Sequence, residues 1–178
     1  MPKLAAVIVS IVVAGVSPVA GADFQHMPVG CKWHVKYSDG SDWASEFLGK
    51  KAGKFVVETH DTTPPKALIS TTEFDDSGRM TKRVWATGKW EAFKPFSCFE
   101  VMGACRYTYS NADGAKQVID SKIVKQGDSY VSMATPKGGS RYPDETITFG
   151  PFGMLKSTKS ENYSTKITKF ENCGQPTS

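Results

Sequence analysis

Four cysteines divide the chain into two stretches of almost equal length. Cys31 and Cys98 bound the first, Cys105 and Cys173 the second, and only six residues separate Cys98 from Cys105. Placing Cys31 on Cys105, a shift of 74, brings Trp33 onto Tyr107, Val35 onto Tyr109 and Asp39-Gly40 onto Asp113-Gly114. Gly53 then falls on Gly127 and Val57 on Val131. One inserted residue raises the shift to 75, and Gly78 meets Gly153, Lys94 meets Lys169 and Cys98 meets Cys173. Two unrelated runs of alternating strands would also align in part. The ordered cysteines and paired Asp-Gly turns favour one module used twice, over 31–98 and 105–173.

Each module reads as β-structure. Cys31, Trp33, Val35 and Tyr37 alternate with Lys32, His34 and Lys36, which is a period of two with one apolar face. Asp39-Gly40 supplies the positive φ that a tight hairpin needs. Turn residues then bound strands near 42–49, 53–60, 66–74, 79–86 and 89–97. The second module has strands near 105–111, 115–125, 128–135, 143–149, 153–160 and 163–172. No window keeps a capped i, i+3, i+4, i+7 apolar pattern. The expectation is all-β: an antiparallel meander of about twelve strands from two similar halves, as a closed barrel or two packed sheets.

Residues 1–22 have the pattern of a secretory signal peptide: Lys3, an apolar run from Ala5 to Val16, and Ala20-Gly21-Ala22 before Asp23. An uncleaved anchor is the alternative, and the run is short for one. The remainder, residues 23–178, has a normal single-domain length and no second apolar stretch long enough to span a bilayer. The predicted compartment is the bacterial periplasm or the medium. An even cysteine count there implies two disulfides, and argues against a catalytic thiol or a zinc site. Four cysteines allow three pairings. With six strands per module all four lie at one end of the sheet. That favours Cys98–Cys105 across a hairpin and Cys31–Cys173 where the first and last strands meet. The rival is Cys31–Cys98 with Cys105–Cys173, each half closing on itself.

The net charge of +4 falls to +3 without Lys3, and acids are interleaved with lysines throughout. That excludes a nucleic-acid footprint. No nucleophile elbow, zinc-protease helix or phosphate loop occurs, so no catalytic residue, metal ligand or cofactor is assigned. His26, His34 and His60 have no spacing that makes them converge. The Asp39–Asp42 and Asp75–Gly78 clusters read as turns. Glu46, Glu58, Glu73 and Glu91 are the carboxylates a dispersed hydrolase site would draw on. Asn162-Tyr163-Ser164 is a glycosylation sequon only in a host that glycosylates exported proteins.

The candidate ligand-binding residues lie in one hairpin. If Thr87-Gly88 is a two-residue turn, Trp85 lies opposite Trp90, with Arg83 and Lys94 on the same face. Two indoles flanked by cations suit stacking on a sugar, a lipid headgroup or an aromatic ligand. The alternative is that the pair is core. All four tryptophans belong to the first half, a divergence expected if one copy carries a site. The reading is an exported, non-catalytic binding protein whose partner is an envelope glycan, a lipid or an apolar small molecule. An envelope structural or interaction factor, and less so a hydrolase with a dispersed site, are the alternatives.

Overall fold

The computed structural model describes residues 21–174. The signal-peptide stretch, up to residue 20, lies outside the described residues. Twelve strands follow one another: β1 Lys32–Tyr37, β2 Asp42–Lys51, β3 Lys54–Asp61, β4 Leu68–Phe74, β5 Met80–Trp85, β6 Trp90–Lys94, β7 Gly103–Asn111, β8 Lys116–Gln126, β9 Ser129–Pro136, β10 Glu145–Phe149, β11 Leu155–Lys159 and β12 Ser164–Glu171. Every neighbouring pair is antiparallel, and β1 pairs with both β2 and β12, so the sheet closes into a barrel. Closure leaves no unpaired strand edge in the sheet.

The period of two sets the wall. Trp33, Phe47, Phe55, Val57, Phe93, Tyr107, Ile119, Ile147 and Ile167 are buried and point inward. Charged residues such as Lys36, Glu46, Glu73, Lys82, Arg106 and Asp120 alternate with the inward set and face out. No described helix is long and apolar enough to cross a membrane. The outward face carries charge at mid-strand, where a lipid-facing barrel is apolar.

Hairpins that begin and end at alternate poles give the barrel two unlike ends. The end at which β2, β4, β6 and β12 finish is stoppered. Residues 21–31 run across it, and Phe24 packs against Phe47, Phe55 and Phe74 with ring centroids 4.6–5.7 Å apart. Ala22 N–H donates to the Gly78 carbonyl and Asp23 N–H to that of Phe152. Thus Gly21 and Ala22, read from sequence as part of the cleavage pattern, pack into this floor. Both disulfides lie at the same end, as Cys31–Cys173 and Cys98–Cys105, the favoured of the three pairings. The first ties the chain where β1 meets β12. The second pinches the β6–β7 connection, whose tip, Phe99 and Glu100, enters the barrel.

The aromatic hairpin departs from expectation. Its loop has three residues, Ala86 to Gly88: Trp85 N–H donates to the Lys89 carbonyl and Gly88 N–H to that of Trp85. Gly88 has φ of 82° and supplies the left-handed residue that this loop type requires. The register therefore moves by one, and Trp90 lies opposite Val84 instead of Trp85. A slip of one residue turns a side chain to the other face of the sheet. Trp85 and Arg83 point inward, Trp90 and Lys94 outward.

Candidate functional site

The end opposite the stopper is open, and a cavity of about 580 Å³ descends from it. Its wall comes from β5 to β10 and its rim from the β9–β10 and β11–β12 loops. Phe93, Phe99, Tyr107, Tyr109, Tyr142 and Tyr163 supply rings, and Arg83, Glu91 and Glu145 supply charge. Phe93 sits 5.8 Å from both Phe99 and Tyr109, so the rings form a continuous surface. Below it, a smaller cavity of about 170 Å³ lies between Arg83, Glu100 and the apolar floor. Arg83 borders both spaces.

The cavity exists because of a difference between the halves. Trp33, Trp43 and Trp85 all point inward in the first half, Trp43 stacking on Tyr37 at 4.5 Å. The shift of 74 carries Trp33 to Tyr107 and Trp43 to Gln117, and the shift of 75 carries Trp85 to Ser160. All three smaller residues line the cup. Indole volume fills one side of the barrel, and the smaller side chains at the aligned positions leave the other side open. The two halves thus fill the barrel differently. The tryptophan-bearing half is packed, and the half without tryptophan makes most of the cup.

Arg83 is held inside by a hydrogen bond from Nε to Thr72 Oγ1 at 3.4 Å and lies 5.3 Å from the Trp85 ring. Glu91 faces it from the adjacent strand. Among the described residues neither forms an ion pair within 4 Å. Glu100 is partly buried and borders the lower cavity, whose lining mixes polar and apolar groups. Burial there pushes its carboxyl up to about 7, with Arg83 pulling the other way. On the far wall, the Tyr163 hydroxyl donates to Glu145 Oε1, and Tyr142 donates to Gln117 Oε1 at 3.0 Å. Burial, helped by Tyr142 and Glu145, pushes Tyr107 up to about 12. Burial and the Glu145 contact also raise Tyr163. With their pKa raised, Tyr107 and Tyr163 are neutral at pH 7, so each offers a hydroxyl and an uncharged ring.

Of the four ligand-binding residues read from the hairpin, Arg83 lies in the cup. Trp85 faces the interior beside it, while Trp90 and Lys94 lie outside. Of the four candidate carboxylates, only Glu91 lines the cup; Glu46, Glu58 and Glu73 sit on the outer face. Sequence reasoning gives no binding role to Glu145, Tyr142 or Tyr163, whose signal is weak because each lies in or beside a loop. Among the described residues no three potential ligands gather around a metal position. His34 meets Glu171 and His60 meets Glu58, each at 3.4 Å, on the outer wall. Asp39 and Asp75 accept hydrogen bonds from backbone N–H groups two residues on, as turn residues do. No protein-family model, no curated protein and no solved structure matches this chain.

Proposed function

We propose that this chain is an exported, non-catalytic binding protein that holds a small molecule of largely apolar character in the open end of its barrel. The observation that carries this is the cup itself. It is a single-mouthed cavity of about 580 Å³, walled by aromatic rings and furnished with a few convergent polar groups. That is the usual make-up of a small-molecule site. Export is supported by the residue 1–22 pattern together with two disulfides. The use of one six-stranded module twice is supported by strand positions: adding 74 to β2, 42–51, gives 116–125 against 116–126 for β8, and adding 75 to β5, 80–85, gives 155–160 against 155–159 for β11.

The test uses a neutral apolar probe, N-phenyl-1-naphthylamine, whose fluorescence rises on leaving water. Saturable binding of one probe per chain is expected. Ala134→Trp, which places an indole in the cup, should abolish it without lowering Tm. Undiminished binding in that variant would remove the cup as the site. A native mass measurement on protein purified from its own host should show a retained small molecule.

A dispersed-site hydrolase has one observation in its favour: Glu91 and Glu145 share the cleft. Turnover of aryl glycosides that is lost in both Glu91→Gln and Glu145→Gln would establish it.

A further inference from the structure

We infer that the ligand is an organic cation, an amine or quaternary ammonium group on an apolar body, with its charged end at Glu145. This rests on the cup being the binding site. The lining carries two carboxylates, Glu91 and Glu145, against one cation, Arg83, and no lysine. Arg83 already has carboxyl groups about it: Glu91 directly across the strand pair, and Glu100, with which it lines the lower cavity. Glu145 has no such cation. Among the described residues no lysine, arginine or histidine nitrogen lies within 4 Å of it, and the Tyr163 hydroxyl is its hydrogen-bond donor.

What surrounds Glu145 is aromatic. Tyr107, Tyr142 and Tyr163 share its part of the cup, and Phe99 and Phe93 continue the surface from Tyr107 at 6.2 and 6.0 Å. Ring faces are the negative part of an aromatic quadrupole and attract cations. The attraction grows as water is excluded, and rings gathered around an anion form the cage that holds alkylammonium groups. An anionic ligand would have to enter beside an uncompensated carboxylate. A neutral ligand would leave that carboxylate partly desolvated and unpaired. A cation meets both needs.

Three probes of nearly one size separate the possibilities: benzylammonium, benzyl alcohol and benzoate, titrated calorimetrically at low salt with N-phenyl-1-naphthylamine as reference. The cation is expected to bind at least about tenfold tighter than the alcohol, and benzoate most weakly. Glu145→Gln should bring the cation down to the alcohol's affinity and leave the alcohol unchanged. Tyr142→Ala, at the exposed rim, should weaken the cation several-fold with the fold intact. It keeps the test open if the Glu145 variant does not fold. Equal or tighter binding of the alcohol or benzoate, or cation binding indifferent to both substitutions, overturns the assignment. If the naphthylamine binds and none of the three shows this order, the charge assignment falls and the cup stands. If nothing binds, both fall.

Discussion

Glu100 links the stability of the barrel to pH. Burial pushes its carboxyl up to about 7 in the folded chain, against an ordinary 4.5. Between those values the folded form holds a proton that the unfolded form has lost. Stability therefore falls as pH rises from about 4.5 to about 7 and levels off above, by up to about 3 kcal/mol. Glu100→Gln should flatten that dependence and be the more stable protein at pH 8. Urea unfolding at pH 5 and pH 8 measures it. Ser97 makes a second case at this scale. Its hydroxyl is buried and has no hydrogen-bond partner among the described residues. Ser97→Ala removes an unsatisfied group and should match or exceed the parent, by up to about 1 kcal/mol in urea melts. Neither group shows in the sequence, because burial of a loop residue depends on where the loop is folded.

Turns and the floor decide matters at the scale of elements. All twelve strands were legible, with ends displaced by a few residues at most, because alternation and turn residues are local properties. The Trp85–Trp90 hairpin was not, and the cause is one residue of loop length. Thr87-Gly88 suits a two-residue turn as well as the last two positions of a three-residue one, and the choice reverses which indole faces inward. The floor was equally hidden, since nothing local says that residues 21–31 cross the barrel. Glycines there are tests. A Cβ on Gly78 would lie 1.7 Å from the Ala22 carbonyl oxygen, whereas one on Gly88 would meet nothing within 4 Å. Both have positive φ, which alone costs about 1 kcal/mol with a side chain. In the full chain, where Ala22 is retained, Gly78→Ala should therefore dislodge the stopper. It should lower stability by clearly more than Gly88→Ala and admit protease near residues 22–30. Equal effects on thermal melting would mean that the floor contact contributes little.

For the whole molecule, the two bridges do different work. Cys31–Cys173 spans a sequence separation of 142, Cys98–Cys105 one of 7. In the chain-entropy description the long loop is worth about 5 kcal/mol and the short one about 2.5 kcal/mol. Replacing Cys31 and Cys173 by Ala should thus cost about twice as much in guanidinium melts as replacing Cys98 and Cys105. Amide exchange in the first variant should quicken first along β1 and β12, the pair that closes the barrel. The short bridge should show itself at the cup instead, since it holds the loop that carries Phe99 to the cavity wall.

Cysteine spacing, alternation and turn residues were enough to determine an all-β meander of twelve strands, with the cysteines gathered at one end. Each of those follows from local geometry and from counting strands. They narrowed the disulfide pairing to a preference, and closure of β12 on β1 decided it. The cup belongs to tertiary structure altogether. It depends on which indoles turn inward and on how far a pinched loop reaches into the barrel. It depends also on the empty volume left where Tyr107, Gln117 and Ser160 stand six strands round from Trp33, Trp43 and Trp85. Volume left unfilled is a property of all the walls at once, and no stretch of sequence contains it.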